Sequence, residues 1–255
     1  IDRLYEYDLG DPYALEERPL YMSSIAVGDY PLDHHRKKNP LPKQIDFPSI
    51  PSYSVPFGSI IPEKINGLIV AEKSISVSNV ANGTTRLQPV VLQIGQAAGA
   101  AAVLSIESGI PAALIDVRSL QAVLLESELI LMPYMDAIQD YWAFLSIQKV
   151  GLSGLMRGEG IPVAWANETR FYPEKIVQKD QLIEILSRSN QLSEEYVYQA
   201  LSAINSNEEL MVGNGIKFFE GLSQKPKIST SSELSTKSKD PNRSYTYEKV
   251  VRFFD

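Results

Sequence analysis

Residues 66–104 read NGLIVAEKSISVSNVANGTTRLQPVVLQIGQAAGAAAVL, and this stretch decides how the rest of the chain is read. Leu68–Ala71 is an apolar run of strand length, and the polar, glycine-bearing text from Glu72 to Arg86 has the composition of a loop. Pro89 to Ser108 predicts a long helix. Proline suits the first helical turn, where a missing N–H removes no bond, and Gly109 with Pro111 forms the expected stop. The order is therefore short strand, polar loop, long helix.

Two properties of that helix point to a ligand. Its first turn, Gln88, Pro89, Val90 and Val91, carries unpaired backbone N–H groups at the positive end of the macrodipole, which favours negative charge by up to about 2 kcal/mol. Small residues at Gly95, Ala98, Gly99 and Ala102 recur at three- and four-residue spacing, so one face admits close approach. That face suits a planar ring, and it suits tight packing on a sheet equally well.

The wider text resembles the C-terminal signature of the FAD-dependent oxidoreductase family over residues 21–110. The resemblance rests on a Pro-Phe-Gly-Ser turn at Pro56–Ser59, then Ile60-Ile61-Pro62, Asn66–Lys73, Ala81–Arg86 and the helix with its Gly95-Gln96-Ala97-Ala98-Gly99 core. It implies that Ala71, Glu72 and Lys73 lie beside the ribityl and diphosphate part of FAD. It also implies that Arg86 and the helix start, Gln88 to Val91 and Gly95, lie beside the flavin ring. Glu72 stands where the family has glycine, so its carboxylate either turns to a ribityl hydroxyl or is a solvated surface charge. Negative charge on the pyrimidine edge of reduced flavin would meet the helix dipole, an effect of roughly 40 mV for a two-electron couple.

Upstream, SIAVGDYPLDHH (Ser24–His35) resembles the same family, whose Asp-x-His pattern is matched by Asp33 and His35. The chain has two histidines, adjacent at positions 34 and 35. Imidazole titrates near neutrality, so His35 with Asp33 is the candidate acid–base pair for a substrate proton; the competing reading is an exposed His pair before a basic loop. Neighbouring side chains in an extended segment point to opposite faces, so no metal site is expected there.

A dinucleotide site binds its diphosphate through a strand, a G-x-G-x-x-G turn and a helix N-terminus. The sequence contains no such turn: Gly154–Gly160 and Gly213–Gly215 have the wrong spacing. The expectation is an α/β or α+β C-terminal portion of a flavoprotein fold that lacks its dinucleotide-binding βαβ unit, with that half lying N-terminal to Ile1 as a partner. Residues 1–11 lack the basic start and apolar core of a signal peptide, so a targeting segment would also lie upstream.

Composition narrows the remaining classes. A net charge of −7 over 255 residues argues against a phosphate-tracking surface, and no nucleic-acid partner is expected. With no cysteine, the chain has neither disulfides nor thiol nucleophiles. Val90–Leu104 is interrupted by Gln93 and Gln96 and falls short of the roughly 20 residues a membrane span needs.

The character of the sequence changes near residues 128–136, which divides it into 1–130 and 131–255. Amphipathic helices are predicted at 137–151, 179–188 and 194–203, a mobile loop at about 223–242, and a docking helix at 245–254. Trp142, Ala143, Ile147, Gly154, Leu155, Gly158, Phe171 and Pro173 follow the order of a surface-layer-homology module, to which the segment is similar. This implies a small all-α module. Its Thr-Arg pair is replaced by Gln178-Lys179, and Trp142, Phe144, Ile147, Leu155 and Phe171 equally suit a plain helical core.

The expected function is the flavin-ring side of a FAD-dependent oxidoreductase acting on a small-molecule substrate by hydride transfer. The alternative is a non-catalytic bacterial cell-envelope fragment that binds cell-wall glycan, which would place the protein in the periplasm or envelope.

Overall fold

The structure is a computed structural model that describes residues 1–13, 18–34, 47–163 and 168–175. The N-terminal segment first adds backbone bonds to later elements: Asp2 N–H donates to Gly58 O and Leu4 N–H to Ser76 O. A short helix α1 (Glu6–Gly10) follows, its entry fixed by Asp8, which accepts from the Tyr5 N–H at 2.8 Å and is gripped by Arg18 at 2.9 Å.

Strands β1 (Ser24–Gly28) and β2 (Tyr53–Pro56) pair antiparallel, with a bulge between Ser24 and Ala26. Nearly every residue in them is buried. At Gly28 a Cβ would lie 2.3 Å from the Tyr53 ring, so only glycine lets that ring cross the strand.

A helical turn α2 (Asn82–Thr85) precedes the long helix α3 (Gln88–Ser108), which ends on Gly109 in the left-handed conformation at φ 67°. Helix α4 (Val117–Glu126) is capped by Asp116, whose carboxylate accepts from the Ser119 N–H at 2.9 Å. Helix α3 packs on β1 and α4 and buries Val90, Ile94, Ala97 and Ala101. Its rotation is fixed by Gln93, whose carboxamide accepts from the Val27 N–H at 3.1 Å and donates to the Val27 carbonyl at 3.2 Å, as a neighbouring strand would. By length and composition α3 is long and apolar enough to cross a bilayer, a property the interrupted apolar run of the sequence had argued against.

Helix α5 (Phe144–Ser153) and the antiparallel pair β3 (Glu159–Ile161) and β4 (Glu168–Arg170) complete the described elements. Gln148 of α5, fully buried, accepts from the Leu131 and Met132 N–H groups at 2.9 and 2.7 Å and donates to the Met132 carbonyl at 2.8 Å. The Leu131 carbonyl in turn accepts from Ser24 at 2.7 Å. Residues Ile1–Phe171 therefore form one compact unit that runs past the 128–136 stretch, and Tyr172–Asp255 form a second.

Three expectations need correction. Leu68–Ala71 is not a strand: it has no ladder partner among the described residues, and Leu68 is 45% exposed. The region after residue 131 is not all-helical, since β3 and β4 lie within it, and its first helix begins at Phe144 rather than near 137. Trp142 is not a core residue, being 44% exposed, whereas Phe144, Ile147 and Phe171 are buried. The helices at 179–188, 194–203 and 245–254 and the loop at 223–242 lie outside the described residues.

Candidate functional site

Thr84 ties α2 to the segment after β1: its hydroxyl donates to the Tyr30 carbonyl at 2.6 Å and pairs with the Tyr53 hydroxyl at 2.8 Å. Burial pushes the Tyr53 phenol well above its ordinary range, partly offset by the Thr84 bond, so it is a neutral bridge. Gly83 makes the close approach possible. A Cβ there would lie 2.6 Å from the Asp33 carbonyl and 2.9 Å from His34 Nε2.

Against this clamp lies Arg86. Its Nη2 donates to the Asp33 carbonyl and carboxylate, each at 3.3 Å, and its Nε donates to the Gly83 carbonyl at 3.3 Å. Nη1 has no bond among the described residues. The sequence-predicted Asp33 and Arg86 are thus brought together as an ion pair, each about a third exposed. His34 Nε2 lies 3.1 Å from the Val80 carbonyl, which fixes the ring as an Nε2–H donor, and its face tilts against Phe47. His35 lies outside the described residues.

One residue after Arg86, α3 starts without a side-chain cap at Leu87. The Val91 N–H donates to the Leu87 carbonyl at 3.0 Å, so the open donors of the first turn are the Gln88 and Val90 N–H groups. Gln88 and Pro89 are exposed, while the Val90 and Val91 side chains belong to the core. Gly95 faces solvent, with nothing within 4 Å of where its Cβ would be. Ala71 is half-buried, and Glu72 opens a tight turn, Glu72–Ser74, that packs on α3. Glu72 has φ 61°, in the left-handed region that glycine occupies without strain. The glycine usual at this position in the resembled family has a conformational reason here.

These residues fit the ring of a flavin. Open N–H donors at the start of a 21-residue helix, a guanidinium held beside them, and a buried Thr85 hydroxyl without a hydrogen-bond partner form a polar end. The open space at Gly95 leaves room for a flat ring. Residues that sequence reasoning missed are Gly83, Thr84 and Gln93, which position the site. The only sequence signal for them is the run of small residues in Asn82-Gly83-Thr84-Thr85.

In comparison with known protein families, residues 7–124 match the model of the FAD dependent oxidoreductases. No curated protein and no solved structure matches the chain. The matched segment spans every candidate site residue from Asp33 to Gly95, and this part of the chain is similar to the FAD dependent oxidoreductases.

Proposed function

We propose that this chain furnishes the flavin-ring side of a FAD site and works with a dinucleotide-binding half outside its 255 residues. The observation that carries this reading is Arg86, fixed by Asp33 immediately before the uncapped start of α3. When bound, FAD supplies a ring that takes a hydride from a small-molecule substrate. The chain's own part is to present the Gln88 and Val90 N–H groups and the Arg86 charge to the electron-rich edge of that ring. Asp33 orients Arg86 and partly offsets its positive charge. His35 is the proposed acid–base group for the substrate proton, on the strength of the Asp-x-His pattern.

The test is the visible spectrum of the purified chain after incubation with excess FAD and desalting, alone and mixed with the dinucleotide-binding half of a family member. Flavin bands in either sample support the proposal. Colourless protein in both overturns it.

A second reading is attachment to cell-envelope glycan, on the strength of the surface-layer-homology order that Trp142, Gly154, Leu155, Gly158, Phe171 and Pro173 follow. It predicts retention on purified cell-wall polymer that is lost in Trp142→Ala; no retention of the unaltered chain removes it.

A further inference from the structure

Residues 10–13, Pro51 and 157–160 line a cleft of about 270 Å³ within the unit Ile1–Phe171, on segments that the proposed function leaves unused. Packing keeps part of its wall bare. A Cβ at Gly158 would lie 2.6 Å from the Arg170 carbonyl, and one at Gly160 would lie 2.7 Å from the Pro51 Cβ. Both positions are therefore held to glycine, and the segment 158–160 lines the cleft with backbone and the Glu159 side chain. Pro51 and Tyr13 add rings. The Tyr13 hydroxyl is spent on the Ser52 carbonyl at 3.2 Å, so Tyr13 offers apolar ring atoms rather than a donor.

Arg157 gives the cleft its positive charge. It is half-buried, and its Nη1 donates to the Tyr13 carbonyl at 2.8 Å, which fixes the guanidinium against the segment 10–13. Among the described residues no carboxylate forms an ion pair with it, although Asp11 and Glu159 line the same cleft. A guanidinium with unspent N–H donors is a fork for a carboxylate. Two carboxylates in the same space repel a ligand that is only an anion, and Arg157 repels one that is only a cation. The signs together select a ligand that carries both charges a few bonds apart. At about 270 Å³ the cleft falls below the range of drug-sized sites, which limits that ligand to a small molecule.

We infer that this cleft binds a free α-amino acid with an apolar side chain. Arg157 takes its carboxylate, Asp11 takes its ammonium group, and the rings of Tyr13 and Pro51 receive its side chain. The fold brings these groups from three parts of the chain: Asp11 and Tyr13 from the end of α1, Pro51 from the approach to β2, and Arg157 from the turn before β3. The site does not depend on FAD, and the segment similar to the FAD dependent oxidoreductases ends before Arg157.

The test is isothermal titration calorimetry of the full chain with three probes. They are L-leucine; isocaproate, which is leucine without its amino group; and isoamylamine, which is leucine without its carboxylate. The expected result is binding of leucine at one site, with each truncated probe at least about tenfold weaker for the loss of one charge-assisted contact. Arg157→Gln should bring leucine down to the level of isoamylamine. Asp11→Asn should weaken leucine and leave isocaproate no weaker than before. Gly10 lines the cleft and an added Cβ there meets nothing within 4 Å, so Gly10→Phe should keep the fold by circular dichroism and block leucine. No binding of leucine overturns the inference. Isocaproate as tight as leucine overturns it too, by making the site one for simple carboxylates. Leucine binding that persists in both Gly10→Phe and Arg157→Gln lies elsewhere on the chain and also overturns it. Flavin retention is read separately from the visible spectrum, so failure here leaves the FAD reading standing.

Discussion

Arg86 reaches back 53 residues to Asp33, and one guanidinium nitrogen donates to both the carbonyl and the carboxylate of that residue at 3.3 Å. This contact joins the segment after β1 to the start of α3, the two places where the sequence puts chemistry. It is not primarily a stabilising contact. With both partners about a third exposed, the pair contributes no more than about 1 kcal/mol.

Arg86→Ala should therefore lower the unfolding free energy by less than about 1 kcal/mol in a urea titration. In the FAD-loaded complex the same change should weaken flavin retention by about tenfold, the equivalent of roughly 1.4 kcal/mol, and lower the flavin potential, because a positive charge has left the electron-rich edge. Arg86→Lys keeps the charge but loses the fork that reaches Asp33 and Gly83, and should fall between. Unchanged affinity and potential in Arg86→Ala would remove Arg86 from the site.

Gln148 predicts a larger effect on folding. Its carboxamide satisfies two backbone N–H groups and one carbonyl inside the unit, and it is fully buried. Gln148→Leu keeps similar volume but leaves the Leu131 and Met132 N–H groups without partners, each costing about 1–3 kcal/mol when desolvated, while the Met132 carbonyl keeps its bond from the Tyr134 N–H. The expected loss is at least about 2 kcal/mol by chemical denaturation, and a loss under about 1 kcal/mol would show that the segment at Leu131–Met132 rearranges to reach water.

The sequence foretold the elements whose signals are local. Pro89 and Gly109 bracket α3 within a residue of its observed ends. Asp33 and Arg86 were legible from their place in a family pattern, though not their ion pair, because a contact across 53 residues leaves no periodic trace. Leu68–Ala71 misled because apolar composition states a demand for burial without supplying the neighbour. Gln93 and Gln148 read as polar helix positions, yet each spends its carboxamide on backbone groups of a distant segment. Side-chain amides that replace strand or turn partners have no spacing rule, so the sequence offers no sign of them.

Asp116 gives a pH test of one helix end. Its carboxyl is held below the ordinary value of 3.8 first by the Ser119 hydroxyl, then by the Ser119 and Arg118 N–H groups, against slight desolvation. A depressed folded-state value contributes stability that is present above pH 3.8 and lost as the pH falls through the folded value. Asp116→Ala should cost about 1 kcal/mol at neutral pH. The difference from the unaltered protein should close as the pH drops below 3.8, whereas Asp116→Asn, which caps without ionising, should retain its advantage over Ala there. A gap between the unaltered protein and the Ala variant that stays constant down to pH 2 would show that the carboxylate charge is not what holds the cap.

Glu72 tests whether the backbone or the side chain governs the turn before the helix loop. At φ 61° an L-residue carries a penalty of roughly 1–2 kcal/mol from the close approach of Cβ to the following carbonyl oxygen. Glycine escapes that penalty, though its greater freedom in the unfolded chain takes back about 0.4–1 kcal/mol. Glu72 is exposed, and no contact of its carboxylate offsets the strain among the described residues. Glu72→Gly should therefore stabilise the chain by about 0.5–1 kcal/mol, a rise in Tm of roughly 1–4 °C. Glu72→Ala, which removes the carboxylate but keeps Cβ, should leave Tm unchanged. A gain in both variants would place the cost in the charge, and a loss in Glu72→Gly would mean that the carboxylate, not the left-handed backbone, decides the turn.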